Sequence, residues 1–300
     1  MKKRGGKERK KFNQICKAIK QVKIQGAENV AKAALEALKL NHSQAAIKKL
    51  ISLRPTEPAL RNAIVKVLDK VANGISWDKA IKEMEDYFRE ADKKIYEYAE
   101  RIIENGNIIY THCHSSTVEK TLKLAKKHSK KFIVYVTETR PLYQGRITAE
   151  KLAKAGIKVV LSVDSNARQF LKKADLFLFG ADAITSSGNV INKIGTNMFA
   201  EIAQQFDVPC YCLSLSIKYD PITQYGYGEK IEERPVREVW NKKIKNLTIV
   251  NPAFEIVEAK NINAIISELG LLTPSAFVEI ASKEWHNHAL EKLSKAAKII

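Results

Sequence analysis

Residues 107–120 read NIIYTHCHSSTVEK, and this stretch decides the fold. The apolar run 108–110 has the composition of a short buried strand. Ser116 and Glu119 have the spacing of a capping box, so a helix is expected to start at Ser116. A strand that passes directly into a helix predicts the first unit of an α/β fold, with Cys113 between two histidines at the junction.

The same alternation of short apolar runs and helix-like segments continues along the chain. Near-continuous apolar strands are typical of a parallel sheet that helices cover on both faces. We therefore predict a Rossmann-like α/β domain with a mostly parallel sheet over residues 106–300. The predicted strands are 108–111, 132–136, 159–163, 176–179, 210–215 and 247–250, and the predicted helices are 117–129, 148–155, 165–173, 196–206 and 260–268.

Residues 1–105 have a helical pattern instead. Segment 30–40 consists mainly of alanine, leucine and lysine, which all favour helices. A second long helical stretch covers residues 76–103, and breaks occur at 24–27 and 53–58. We predict a helical N-terminal domain that carries a basic tail.

Composition narrows the class of protein. The chain has 300 residues, and its 45% hydrophobic content suffices for a buried core. It has no apolar run that could span a bilayer, and the charged N-terminus lacks the apolar segment of a secretory signal, so we expect a cytoplasmic protein without membrane contact. The four cysteines, at 16, 113, 210 and 212, are too scattered for a disulfide framework, which fits a reducing compartment.

The formal net charge of +18 favours anionic partners, such as phosphorylated metabolites or nucleic acid. The densest basic cluster is the N-terminal tail, with Lys2, Lys3, Arg4, Lys7, Arg9, Lys10 and Lys11. We interpret this tail as solvated and frayed, because aromatic side chains that stack on bases are not interleaved with the charges. Contact with RNA is the alternative.

Chemically active side chains follow each predicted strand. Ligands of open α/β sheets bind at the carboxyl ends of the strands, where these segments would meet. The segments supply a cysteine, carboxylates, arginine and lysine, and they are 112–114, 137–145, 164–168, 180–182 and 214–218. We therefore expect a site for an anionic ligand at this edge.

Cys113 lies just before the predicted helix start. The positive end of a helix dipole lowers the pKa of a thiol, which would suit a nucleophile or a general base. A buried structural cysteine is the alternative. A metal site with His112 and His114 is disfavoured, because three consecutive residues at a strand end cannot all point at one ion, so no metal is expected. His286 and His288 lack this context, and we assign them to a surface helix.

Asp182 follows the apolar run 176–179 and is expected at the mouth of the sheet. Partial desolvation there would raise its carboxyl pKa and suit a general acid. A turn-forming role is the alternative, because Gly180 precedes it and the turn-like segment 186–189 follows. Residues 192–197, NKIGTN, place a lysine, a glycine and backbone amides at a helix start, a pattern that suits phosphate.

Several motifs together resemble a known superfamily. They are THCHSS (111–116), ETRPLYQG (138–145), VDSNAR (163–168), GADAITSSGNVINKIGTN (180–197) and NPAFEI (251–256). Over roughly residues 20–275, the chain is similar to the superfamily that unites methylthioribose 1-phosphate isomerases, archaeal ribose 1,5-bisphosphate isomerases and the regulatory alpha, beta and delta subunits of translation initiation factor two B. The archaeal ribose 1,5-bisphosphate isomerases resemble it most in these motifs.

The resemblance implies an aldose–ketose isomerase that converts ribose 1,5-bisphosphate to ribulose 1,5-bisphosphate in AMP and nucleoside salvage, without a cofactor. It implies that Cys113 is the proton acceptor and Asp182 the proton donor. It also implies activation by AMP, and dimers that assemble into a hexamer. The expected substrate and phosphate contacts are Gln25, Gly26, Ala27, Glu28, Arg54, Ser115, Ser116, Thr117, Arg140, Gln144, Asn192, Lys193 and Lys218.

One departure supports an alternative function. The superfamily's first phosphate loop reads Arg-Gly-Ala, whereas this chain has Gln25-Gly26-Ala27 and lacks the charged fork. The alternative is a noncatalytic regulatory subunit, similar to those of initiation factor two B, that senses nucleotides or sugar phosphates. Retention of Cys113 and Asp182 favours the enzyme.

Overall fold

The computed structural model describes residues 2–24, 26–54, 57–228, 231 and 233–285, and for residues 2–5 the backbone alone. Gln25 and the His286/His288 pair lie outside the described residues, so the predictions made for them stay predictions.

The N-terminal part is helical, as predicted. Its helices are α1 Lys2–Lys20, α2 Ala27–Leu40, α3 Gln44–Ile51, α4 Pro58–Ala72 and α5 Trp77–Arg101. The predicted frayed tail is wrong, because residues 2–20 form α1. Phe12, Cys16 and Ile19 recur at helical spacing and are buried, so one apolar stripe fixes α1 to the core. The lysines at 7, 10, 11, 17 and 20 are exposed.

The remaining strands and helices alternate, as the sequence indicates. The strands are β1 Ile108–Thr111, β2 Ile133–Thr137, β3 Lys158–Ser162, β4 Leu176–Gly180, β5 Ala183–Ile184, β6 Val190–Lys193, β7 Cys210–Leu213, β8 Phe254–Val257, β9 Ala264–Ser267 and β10 Gly270–Leu272. The helices are α6 Ser116–Lys127, α7 Gln144–Lys154, α8 Ala167–Leu171, α9 Thr196–Gln204 and α10 Pro274–Trp285.

A seven-stranded sheet has the order β10-β9-β7-β4-β1-β2-β3. Its pairs are parallel except for the antiparallel edge strand β10, so the predicted mostly parallel sheet is confirmed. The central strand β4 pairs with β1 and β7, and all of its residues are buried. A second, antiparallel sheet joins β5, β6 and β8 and was not predicted.

Two predicted elements are wrong. Residues 247–250 form no strand, and the side chains of Leu247 and Val250 are exposed. Segment 260–268 forms a short 3-10 turn and then β9 instead of a helix. The β-branched residues Ile265 and Ile266 are fully buried beside β7, which favours a strand there.

The helical part and the sheet share one continuous hydrophobic core that extends from Phe12 to Trp285. Asn62 on α4 donates from its Nδ2 atom to the carbonyl oxygens of Ile217 and Tyr219, at 2.8 Å each. The boundary near residue 105 therefore separates a helical part from an α/β part, and both parts contribute to the same hydrophobic core. Within the described residues, every helix is too short or too polar to cross a membrane.

Candidate active site

Cys113 and Asp182 follow two adjacent strands in the middle of the sheet. Thr111 of β1 pairs in register with Leu178 of β4, so the segments beyond both strands leave the same edge side by side. The segment that contains Lys193 also reaches this edge, because the carbonyl of Ile194 lies 3.0 Å from Nε2 of His112, the residue before Cys113, and the charges of Lys193 and Asp182 both act on the pKa of the Cys113 thiol. The predicted convergence at the carboxyl edge is therefore found.

The backbone of Cys113 is held in an unusual conformation. Its φ is 65°, in the left-handed region that non-glycine residues seldom adopt. Its N–H donates to the Thr139 hydroxyl at 3.0 Å, and its carbonyl accepts from the Thr148 hydroxyl at 2.8 Å. Such geometry persists where the surroundings impose it, and it is common at functional sites.

The predicted low pKa of Cys113 is wrong. Burial raises the pKa of the thiol to about 11, although Lys193 and the backbone N–H of His114 act in the opposite direction. Desolvation disfavours the thiolate more than these two groups stabilise it. The thiol of the free protein is therefore protonated at neutral pH.

The helix after Cys113 starts at Ser116, as expected, but its N-cap is Ser115 and not Ser116. Ser115 caps α6, because its Oγ atom accepts from the N–H of Val118 at 3.3 Å. Glu119 does not complete a capping box with Ser116; its carboxylate pairs with Lys123 at 2.6 Å and Lys151 at 3.1 Å. Thr117 is buried in the first turn.

Gly180 allows this first turn to lie against the end of β4. A Cβ atom at position 180 would lie 2.6 Å from the Oγ atom of Ser115, closer than atoms can pack. The glycine of the GAD motif therefore permits the contact between the cap of α6 and the strand that leads to Asp182.

The two histidines beside Cys113 bind different parts of the protein. His112 is buried, its Nε2 atom donates to the carbonyl of Ile194 at 3.0 Å, and burial lowers its pKa to about 4. His114 lies 3.0 Å from the Thr148 hydroxyl through Nδ1. Within the described ranges, no group of three His, Cys, Asp or Glu side chains is arranged to hold a metal ion.

Asp182 lies between the two sheets. Its backbone N–H donates to the carbonyl of Ile191 on β6 at 2.8 Å, and its side chain is half-buried. Lys218 is buried and donates from Nζ to the carbonyl of Ala181 at 2.6 Å, which brings a cation next to Asp182. Both Lys218 and Asp182 act on the pKa of Cys212, which burial raises to about 12.

The predicted phosphate pattern at 192–197 is present only in part. Asn192 donates to the Thr196 hydroxyl at 3.1 Å, and Lys193 lies beside Cys113. However, the N–H of Asn197 in the first turn of α9 donates to the Glu255 carboxylate at 2.7 Å. This N–H is therefore already bound to a carboxylate. The side chains of Asn192 and Lys193 remain as groups of this segment that could bind an anion.

The predicted contacts in the ETRPLYQG motif lie between the end of β2 and the start of α7. Arg140 is exposed, and it donates to the hydroxyl of Tyr143 at 2.6 Å and to the carbonyl of Val239 at 3.2 Å. Gln144 begins α7, and its Oε1 atom is buried without a hydrogen-bond partner in the described part of the chain. A Cβ atom on Gly145 would lie 1.8 Å from the carbonyl oxygen of Thr137, so α7 can approach β2 only with glycine there.

The first predicted phosphate loop leads into α2. Gly26 has a φ of 85° and precedes the helix, and Ala27 and Glu28 are buried in its first turn. Burial raises the pKa of Glu28, but its ion pair with Lys32 and the charges of Lys120 and Lys218 hold the pKa below its usual value. The start of α2 therefore lies near Lys218.

Arg54, the other predicted phosphate contact in the helical part, is buried. Its Nη2 atom lies 2.6 Å from Oε1 of Glu57, which forms an ion pair with it. A phosphate would have to share this guanidinium with a carboxylate.

Sequence reasoning missed three polar residues that hold the site together. Thr139 and Thr148 bind the backbone of Cys113, and Asp164 binds the segment that contains Thr139. Asp164 and Thr139 both lie within motifs that resemble the superfamily, and this was the available signal. Their role depends on how three strands come together, which spacing alone does not reveal.

Comparisons with known proteins identify the family of the chain. Residues 12–274 match the model of the Initiation factor 2 subunit family. The chain is 35% identical to a ribose 1,5-bisphosphate isomerase of Pyrococcus furiosus, over 91% of this chain and 93% of that protein. It is 37% identical to a ribose 1,5-bisphosphate isomerase of Methanocaldococcus jannaschii, over 88% of this chain and 92% of that protein.

A solved structure has the same fold. The Pyrococcus horikoshii translation initiation factor eIF-2B superposes with a TM-score of 0.77 at 26% identity, over 88% of this chain and 97% of that one.

Proposed function

Because the chain belongs to the Initiation factor 2 subunit family, we propose that it is a sugar-phosphate isomerase that converts ribose 1,5-bisphosphate to ribulose 1,5-bisphosphate. The observation that carries the proposal is the placement of Cys113 and Asp182 beyond adjacent central strands, with Lys193 beside the thiol and Lys218 beside the aspartate. This arrangement brings a proton acceptor, a proton donor and two cations to one edge of the sheet.

In the proposed reaction, the Cys113 thiol, which is neutral in the free protein, first gives its proton to the Asp182 carboxylate, and the resulting thiolate removes the proton from C2 of the sugar. Asp182 gives a proton to the ring oxygen as the ring opens, and its carboxylate then takes the proton of the C2 hydroxyl as that group becomes the ketone. Cys113 returns its proton to C1, so the pair regains the thiolate and the carboxylic acid present at proton abstraction. General acids and bases of this kind contribute about 10²–10⁴ in rate.

The cations stabilise charge that develops in this sequence. Lys193 acts on the pKa of Cys113 in the direction that favours the thiolate. Lys218 is fixed by the carbonyl of Ala181 and can stabilise an oxygen anion near Asp182. The N-terminus of α6, which Ser115, Ser116 and Thr117 form, faces the same edge and favours a phosphate.

We further propose that AMP activates the enzyme within nucleotide salvage, and that the enzyme assembles as dimers and then as a hexamer. Exposed apolar side chains on the edge strand β3 and the turn after it support an association of copies, because water disfavours such a surface. They are Val160, Leu161 and Val163.

A second candidate function is a noncatalytic regulatory subunit. The observation that favours it is Glu28, a buried carboxylate in the first turn after the loop in which a phosphate was expected. A carboxylate there weakens the binding of a phosphate at this loop, and a regulatory subunit that senses nucleotides or sugar phosphates would not need the phosphate to be positioned for catalysis.

One experiment distinguishes the isomerase from the regulatory subunit: the purified protein is incubated with ribose 1,5-bisphosphate, with and without AMP. Formation of the ketose, followed by NMR, is expected for the wild type and is expected to be lost in Cys113→Ala. A matched control is Cys16→Ala, because Cys16 is buried in α1 away from the sheet edge. Absence of ketose with the wild type would favour the regulatory function, and an active Cys113→Ala variant would exclude the proposed base.

A further inference from the structure

Two residues in the left-handed conformation meet at the end of β1. Cys113 has a φ of 65° and Thr139 a φ of 62°. The hydroxyl of Thr139 accepts the N–H of Cys113 at 3.0 Å, and it lies 3.3 Å from the carbonyl of Thr137 in donor geometry. Thr139 is fully buried, so water cannot replace this bond.

Asp164 fixes Thr139 in turn. Its Oδ1 atom accepts the N–H of Thr139 at 2.8 Å, and its Oδ2 atom accepts the N–H of Arg140 at 2.7 Å. Hydrogen bonds to an ionised carboxylate are shorter and stronger than bonds between neutral groups. One carboxylate beyond β3 therefore holds the turn beyond β2, and this turn holds the residue beyond β1.

We infer that Thr139, anchored by Asp164, is a positioning residue that sets the orientation of the Cys113 thiol for proton abstraction. The inference rests on the proposed function, in which Cys113 is the base. The Thr148 hydroxyl donates a second hydrogen bond, to the carbonyl of Cys113. This bond does not involve the N–H groups of Thr139 and Arg140 that bind Asp164. Thr139 and Asp164 therefore act together to hold the backbone of Cys113 at its positive φ.

The test compares Thr139→Val, Thr139→Ser and Asp164→Asn with Thr121→Val. The hydroxyl of Thr121 is also fully buried, but it donates to the carbonyl of Thr117 within α6, so it controls for removal of a buried hydroxyl. Displacement of a reacting group by about 1 Å can cost about 10²-fold in rate. We expect Thr139→Val and Asp164→Asn to lower kcat by about 10–100-fold with KM changed less than about threefold.

Three further results are expected. Thr139→Ser keeps the hydroxyl and should restore kcat to within about threefold of the wild type, as should Thr121→Val. The double variant of Thr139→Val with Asp164→Asn should lose little more than either single variant, because groups that act as a unit are not additive. Retained kcat in Thr139→Val, no rescue by serine, or fully additive losses would each overturn the inference.

Alkylation of Cys113 tests the same inference without turnover. The other three cysteines are buried, so Cys113 is the thiol that iodoacetamide reaches in the native protein. Release of the turn should hydrate the thiol, and we expect Cys113 to react several-fold faster at pH 8 in Thr139→Val than in Thr121→Val. If the wild type makes no ketose, the proposed function fails while the alkylation rates still decide the positioning role, and equal rates in the two variants overturn it.

Discussion

At the scale of single residues, Cys113 combines a reactive side chain with surroundings that keep it neutral. Burial opposes the thiolate, and the nearby carboxylates of Asp182 and Asp164 oppose it further, whereas Lys193 favours it. A thiol that is neutral in the free protein reacts more slowly with oxidants than a thiolate does. The dipole argument from sequence failed because desolvation depends on tertiary packing, which the local motif does not contain.

The first prediction concerns the pH dependence of this thiol. The pKa of Cys113 is raised, so the thiolate fraction grows with pH, and the alkylation rate should rise about tenfold per pH unit from pH 7 upward. Lys193→Met removes the main group that lowers the pKa, so its alkylation curve should move to higher pH. Lys154→Met is the control, because Lys154 pairs with Glu150 on an exposed face of α7. A plateau below pH 8.5 in the wild type would contradict the raised pKa.

The second prediction concerns Asp182. Asp182→Asn keeps the shape of the side chain but removes the transferable proton, so turnover should fall by roughly 10²–10⁴. Asp175→Asn is the control: Asp175 accepts the N–H of Ile108 at 2.7 Å, at the amino end of the same sheet, and turnover should stay within about twofold. Equal turnover in the two variants would indicate that Asp182 forms a turn and is not the general acid.

At the scale of secondary structure, apolar runs predicted the central strands because a buried parallel strand needs an apolar side chain at almost every position. The same rule could not find β5, which has only two residues, or β6, whose two apolar residues are followed by Asn192 and Lys193. It assigned β9 to a helix, since a short apolar run does not distinguish a buried strand from a buried helix. The N-cap of α6 was missed by one residue because Ser115 and Ser116 are equally good caps by composition.

The third prediction tests the contact between α6 and β4. Gly180→Ala places a Cβ atom 2.6 Å from the Oγ atom of Ser115, so the first turn of α6 has to move. Overpacking of this kind costs about 1–3 kcal/mol of the free energy of unfolding. Urea denaturation should show that loss together with reduced turnover. Gly228→Ala is the control, because a Cβ atom there would meet no atom within 4 Å, and a loss of equal size in both variants would exclude the steric explanation.

At the scale of the whole molecule, the helical part shapes the site although it supplies neither Cys113 nor Asp182. Helix α4 reaches the segment around Lys218 through Asn62 and through Arg61, whose Nη2 atom lies 2.6 Å from Oδ1 of Asp220. The sequence predicted both parts but not this contact, because it joins residues more than 150 positions apart.

The fourth prediction follows from that contact. Asn62 is buried, and its Nδ2 atom bonds the carbonyls of Ile217 and Tyr219, on either side of Lys218. Asn62→Ala leaves both carbonyls without this donor, which should lower the free energy of unfolding by about 1–3 kcal/mol. Because Lys218 would lose its fixed position, KM for the sugar phosphate should rise several-fold and more than kcat falls. Denaturation curves and initial rates measure the two effects.

Asn73→Ala is the matched control for this experiment, because Asn73 ends the same helix and its exposed Nδ2 atom donates to the carbonyl of Asp69 at 2.9 Å. Stability and KM should both stay near the wild-type values in this variant. If Asn62→Ala is destabilised but keeps the wild-type KM, then α4 supports the fold without positioning Lys218. If both variants raise KM equally, the effect arises from α4 as a whole and not from the two bonds. A rise in KM confined to Asn62→Ala would show that the helical part of the chain acts on substrate binding through Lys218.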